Sequence, residues 1–186
     1  MDNRDGLPVR RTGKVLLLNE KQELLLFRAN ERLPDGNVRE IWFPVGGGAE
    51  GEESFAECAA RELFEETGLR VNPDQLGSVV GVREGGFFLD SVPTWSDEAF
   101  FFASVAQWEV DDSGFTDLER QQLLAHRWWP LRELAETDRT IFPPGRDLAG
   151  LISTILTSGP PREPVVLTWN NPPGWPRLDT NPRQDS

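Results

Sequence analysis

The sequence predicts an α/β or α+β domain built on a mixed sheet, and three observations carry that expectation. Short aliphatic, β-branched and aromatic runs alternate along the chain with segments of helical character. The 186 residues, 38% of them hydrophobic, are enough to close one core but too few for two full domains. No apolar run approaches the ~20 residues that a membrane span requires.

Taken in order, KVLLLN from Lys14 and then ELLLFRA read as two β segments joined by the polar EKQ near Asn19 to Gln22, a hairpin signal. The loop NERLPDGNVRE follows, and the aromatic run IWFP leads into a cluster of glycines. Further on, LGSVVGVRE, EAFFFASVA and HRWWPL have the composition of strands. Between the last two, TDLERQQLLA has a helix-like start with Thr116 as a candidate cap, and LRELAET and RDLAGLISTILTS read as short helices. The expected organisation is one domain over residues 1–158 and a proline-rich tail over 159–186, extended or partly disordered, in which VVLTW has the composition to add an edge strand or dock on the domain.

Composition narrows the chemistry. One cysteine, Cys58, and one histidine, His126, leave neither a disulfide framework nor a Cys/His zinc site, so any metal must be held by oxygens. A net charge of −12 repels polyanions, and non-specific nucleic-acid binding is not expected. A small phosphorylated substrate screened by divalent cations is compatible with that field. The start, MDNRDGLPVRR, lacks the apolar segment of a secretory signal, so a soluble, cytoplasmic protein without membrane attachment is the expectation.

The stretch PVGGGAEGEESFAECAARELFEETGL concentrates the chemistry. Ser54 and Glu57 form a capping-box pattern and Gly68 supplies a left-handed terminus, so a helix is expected over 55–67. At ~100° per residue, with Glu62 set at zero, Glu65 falls at about −60° and Glu66 at about +40°, so three carboxylates share one narrow face. Ala56, Ala60, Leu63 and Thr67 gather on the other side. Such a face is either a solvated acidic surface or a site for hard cations. Like charges at i, i+4 cost a few tenths of a kcal/mol unless a cation turns that cost into binding, and magnesium and manganese prefer carboxylate oxygens. Glycines ahead of the helix let backbone approach a ligand, and Gly47 or a neighbour is placed to offer a carbonyl. Arg61 is placed to pair with the glutamates.

These residues resemble the Nudix hydrolase signature: Gly, five residues, Glu, seven residues, then Arg-Glu-aliphatic-any-Glu-Glu-any-Gly-aliphatic. Gly47, Glu53, Arg61, Glu62, Leu63, Glu65, Glu66, Gly68 and Leu69 fill every fixed position. The resemblance implies an α/β/α sandwich with a central mixed sheet and a Mg2+- or Mn2+-dependent hydrolysis, by water attack at phosphorus, of the pyrophosphate bond in a nucleoside diphosphate linked to another moiety. It implies Glu62, Glu65 and Glu66 as metal ligands with the Gly47 carbonyl, Arg61 as the group that orients them, and Glu53 as its support. Relatives recruit the general base from the motif helix, here Glu66, or from a later loop, where Glu119 stands; Glu98 is a weaker candidate. Glu50-Gly51-Glu52-Glu53 departs from the usual order before the helix by placing Gly51 one position early, and Glu50 is at most an outer group. A sheet-mediated homodimer is common among relatives.

Substrate marks are sparse. The proline of ADP-ribose enzymes and the tyrosine of the diadenosine polyphosphate group are absent, and the segment before the motif has a partial likeness to coenzyme A pyrophosphatases, with different spacing. A non-enzymatic nucleotide-metabolite sensor of the same family is the competing reading. Trp42 and Trp95 are candidates for stacking on a base, Trp42 the better placed, against core packing for both. Of Trp128 and Trp129 one ring is expected inward. Cys58 is expected to be a partly buried, inert thiol, and His126 to make an ordinary hydrogen bond.

Overall fold

The computed structural model describes residues 3–4, 6–33, 35–89, 92–111 and 123–169. The hairpin forms as its sequence predicts: β2 (Leu7–Asn19) turns into β3 (Glu23–Arg32), with Leu18 opposite Leu24. The turn is closed by Asn19, whose Oδ1 accepts the N–H groups of Lys21 and Glu23 at 2.9 and 3.0 Å, the local side-chain bonding that makes Asn a turn residue. Before it, β1 (Asn3–Arg4) pairs with the start of β2. The glycine cluster is strand rather than loop. β4 (Val38–Gly48) runs through it, with Gly46, Gly47 and Gly48 opposite Lys14, Gly13 and Thr12.

Helix α1 (Phe55–Thr67) follows, then a 3-10 turn (Pro73–Leu76) and the antiparallel pair β5 (Gly81–Leu89) and β6 (Val92–Val105). β7 (Leu123–Pro130) leads into α2 (Leu131–Glu136) and α3 (Gly145–Ser158), the two short helices expected there. One expectation is corrected. Thr116 and the residues to Gln122 lie outside the described residues, but Leu123–Ala125, read as the end of a helix, are strand. They pair with Ala29 and Arg28, because the outer edge of β3 needs a hydrogen-bonding partner and that demand overrides local propensity. From the tail, β8 (Val165–Val166) adds a parallel strand to β5, so VVLTW does supply an edge.

The sheet order is β7-β3-β4-β2-β6-β5-β8, mixed because β2–β6 and β5–β8 are parallel. Strand alternation divides it into two apolar faces. Val15, Leu17, Leu25, Phe27, Val45, Ala99 and Phe101 pack under α1 with Ala59, Ala60 and Leu63. Leu16, Leu18, Leu24, Leu26, Trp42, Phe100 and Trp129 pack under α2 and α3 with Leu134, Leu148, Leu151, Ile152 and Ile155. The result is the α/β/α sandwich, with the glutamate helix and the short 3-10 turn on one face among the described residues.

Candidate metal and phosphate site

The carboxylate face is fixed by its helix ends. Ser54 Oγ accepts the Glu57 N–H at 3.2 Å and Glu57 Oε2 accepts the Ser54 N–H at 2.8 Å, while Gly68, at φ 72°, donates its N–H to Phe64 O. This capping box satisfies two otherwise orphaned donors and starts the helix at one defined residue.

Arg61 is the hub. Its Nε and Nη2 donate to Glu53 at 2.9 and 3.1 Å, its Nη1 donates to Glu62 Oε1 at 2.8 Å and Glu65 Oε2 at 2.9 Å, and Nη2 also donates to the Gly48 carbonyl at 2.9 Å. The planar guanidinium therefore sets the spacing of three carboxylates and ties the helix to the end of β4. Glu53 is further held by the Glu50 N–H at 2.9 Å, which is where the irregular Glu-Gly-Glu-Glu turn serves the site: Gly51 takes φ 53° and folds Glu53 back onto Glu50. The hydrogen bonds from Arg61, with the Glu50 N–H, hold the Glu53 carboxyl below the usual range against some desolvation.

Glu66 accepts the Gly46 N–H at 2.9 Å, with 4% of its surface exposed. Glu62 is 7% exposed and lies flat against Gly47, where an added Cβ would stand 2.5 Å from Oε1. Only a residue without a side chain admits the carboxylate there. Burial pushes the Glu62 carboxyl up, offset in part by Arg61 and Lys14. The Gly47 carbonyl accepts the buried Cys58 thiol at 3.2 Å, one of its two lone pairs. Burial raises the thiol pKa, so Cys58 is the inert group expected of it.

Among the described residues no three acidic, His or Cys side chains converge as a finished cation cage. The donor set nonetheless fits a hard divalent cation. Glu53, Glu62 and Glu65 are gathered by Arg61 and Glu66 stands on the same helix face, with Lys14 acting on Glu62, Arg11 Nη1 donating to the Glu53 carbonyl at 3.1 Å and the Arg10 guanidinium beside Gly48. The groups that would hold the ion are Glu62, Glu65, Glu66 and the Gly47 carbonyl, all oxygen donors. A pH dependence follows. Because the folded pKa of Glu62 is raised, its contribution to stability is present at acid pH and is lost as pH rises through that value. A cation needs the ionised form, so the rise in melting temperature on adding Mg2+ should be larger at pH 8 than at pH 5, as a thermal-shift series will show.

The sheet contributes residues that spacing did not reveal. Lys14 Nζ donates to the Gly46 carbonyl at 2.7 Å. Its strand neighbours Leu16 and Leu18 face the core, so a lysine in phase with them was the available signal. Burial lowers its pKa, opposed by Glu98, Glu66 and Glu62. Glu98 is buried, with Arg83 Nε at 2.8 Å from Oε2 and Ser96 Oγ at 3.2 Å from Oε1. Both its oxygens are engaged, which makes it an anchor rather than a base.

Trp42 does not fit the stacking role considered for it. It is 6% exposed, lies in the layer under α3, meets Trp129 edge-on at 5.2 Å and donates Nε1 to Glu40, so no ring face is open to a base. Trp95 is half-buried on β6. Trp129 is buried, and Trp128 packs partly on the opposite face. His126 is exposed, edge-on to Phe27. Glu119 lies outside the described residues.

A family model described as the NUDIX domain matches residues 8–146. The chain belongs to the NUDIX domain family. This Nudix domain is similar to the m7GpppN-mRNA hydrolase NUDT17 of Danio rerio, 41% identical over 64 residues, which are 34% of this chain and 21% of that protein. It is also similar to diphosphoinositol polyphosphate phosphohydrolase 2 of Rattus norvegicus, 32% identical over 82 residues, 44% of this chain and 41% of that one. The chain thus spans about a fifth and two fifths of the lengths of these curated relatives. In three dimensions the Nudix sheet and helices match the MutT protein of Methanosarcina mazei Go1 with a TM-score of 0.56 at 24% identity, over 82% of this chain and 98% of that one, which establishes the shared fold.

Proposed function

We propose that this Nudix domain is a divalent-metal-dependent pyrophosphohydrolase, acting by water attack at phosphorus on a small nucleoside diphosphate joined to another moiety. The observation that carries the reading is the Arg61 hub, which holds Glu53, Glu62 and Glu65 together beside a buried Glu66 that is pinned to the glycine strand. Bound Mg2+ or Mn2+ would neutralise the diphosphate and acidify a water. The chain's own part is to present the carboxylates in fixed register, through Arg61 and the Gly46 N–H, and to leave the backbone at Gly47 close to the ligand. Glu66, on the same face, is assigned the proton of the attacking water, with Glu119 as the second candidate.

Both named relatives are hydrolases of phosphorylated compounds by their descriptions, and the full set of motif glutamates favours an enzyme over a sensor. The net charge of −12 favours small substrates over long polyanions. The test is to incubate the chain with Mg2+ and a panel of nucleoside diphosphate derivatives, dinucleotides including coenzyme A, nucleoside triphosphates, m7GpppN caps and diphosphoinositol polyphosphates, and to measure phosphate-containing products. Metal-dependent release from at least one is expected. Tight binding of one compound with no turnover of any would replace the enzyme by a sensor.

A further inference from the structure

A second group of polar side chains is buried on the sheet face opposite α1, and the hydrolase reading does not use it. Register places Gly48, Thr12, Glu98 and Arg83 in one row across β4, β2, β6 and β5. Three strand spacings of ~4.8 Å put the Arg83 backbone about 14 Å from that of Gly48, at the far end of a row that starts beside the carboxylate hub. Arg83 is 5% exposed and ion-paired to Glu98 at 2.7 Å, yet its Nη1 is buried and has no hydrogen-bond partner among the described residues. A buried guanidinium nitrogen left unpaired costs enough that such donors in folded proteins normally meet water or a ligand.

The cover over Arg83 comes from the segment after β8. Leu167 is buried in the core, and Trp169 lies over the guanidinium with 4.1 Å from Arg83 Cζ to its ring, fixed by Nε1–H donation to the Gly86 carbonyl at 3.0 Å. Gly85 makes this possible, since a Cβ there would collide with the indole. Phe142 is the second ring near Arg83, at 5.9 Å. Phe142 and Thr168 also line a cavity of ≈ 410 Å³ whose other walls carry Arg39, Arg139 and Arg146. Each of these arginines is itself ion-paired, Arg39 with Glu31, Arg139 with Glu40 and Arg146 with Asp147.

We propose that Arg83 is a phosphate-recognition residue, held by Glu98 and covered by Trp169, which takes an anionic group of the substrate separate from the diphosphate at the glutamates. The assignment rests on the hydrolase reading for the substrate, but its chemistry is that of a guanidinium whose Nε and Nη2 are committed to a carboxylate and whose buried Nη1 has no partner among the described residues. Trp169 is a positioning residue that keeps the guanidinium plane fixed and dry.

The test uses the full chain in metal-free buffer with chelator, titrated calorimetrically with inorganic pyrophosphate, so that the reading does not depend on the carboxylate site. Wild type is expected to bind. The near-isosteric pair Arg83→Gln/Glu98→Gln, which strands no charge, is expected to weaken binding about tenfold or more. Trp169→Ala should weaken it less, and Arg132→Gln, a fully solvated charge, not at all. If the pair does not fold, Arg83→Lys decides, since it keeps the charge and loses the fork. No metal-free binding by wild type, or undiminished binding in the deciding variant, overturns the proposal. Retained pyrophosphate binding with no Mg2+-dependent turnover across the substrate panel would instead overturn the hydrolase reading and leave the Arg83 site standing.

Discussion

Glu66→Gln should reduce hydrolysis by roughly 10²- to 10³-fold at saturating Mg2+ while the protein keeps its fold. The substitution is well posed because the glutamine oxygen still accepts the Gly46 N–H and the volume is unchanged. What disappears is one negative charge on a side chain that is 4% exposed, and with it both a donor for the cation and an acceptor for the water proton. Glu65→Gln should also lose most activity, through the cation alone. The check is kcat against Mg2+ concentration with circular dichroism alongside. An unchanged kcat in both variants means that the carboxylate face is not where the chemistry occurs, and a loss confined to Glu119→Gln would move the proton to that residue.

The largest stability effect is expected from Arg61→Ala. The side chain is 22% exposed and meets Glu53, Glu62 and Glu65, which would be left facing one another. Breaking a fully buried pair costs about 3–5 kcal/mol, and partial exposure lowers this to about 2 kcal/mol here. Denaturant unfolding of the metal-free protein should show the loss. Mg2+ should recover more stability in Arg61→Ala than in wild type, because the cation then replaces the guanidinium charge that had bridged the three carboxylates. Arg61→Lys should fall between, as a single ammonium cannot bridge three partners in a plane. Equal Mg2+ gains in all three proteins would mean that Arg61 and the cation do not share ligands.

The legible part of this molecule is the part written locally. Ser54, Glu57 and Gly68 encode both ends of α1, and the Asn19 turn encodes the first hairpin, because each signal and the structure it specifies lie within a few residues. The hub was legible for the same reason: Glu53, Arg61, Glu62 and Glu65 fall within thirteen positions. What was not legible depends on pairings between distant strands. Lys14 reaches the glutamates through the pairing of β2 with β4, opposite Gly46, and the Arg83–Glu98 pair joins that neighbourhood because β2 runs parallel to β6, with Thr12 opposite Glu98. Leu123–Ala125 were misread as helix because their partner, β3, is almost a hundred positions earlier. Trp42 pointed to a ligand on proximity to the glycines alone, whereas the alternation of β4 turns its ring to the other face.

That parallel pairing of β2 and β6 also bears on how the molecule comes into being. Thr12 and Glu98 are 86 positions apart, and closing so long a loop is slow compared with forming a capped helix or a tight hairpin. The carboxylate helix and the first hairpin can take shape early, but the row that carries the Arg83–Glu98 pair exists only after the late central pairing. An agent that loosens β6 would therefore silence substrate recognition before it disturbs the glutamates, leaving a chain whose helix is intact and whose cleft is not.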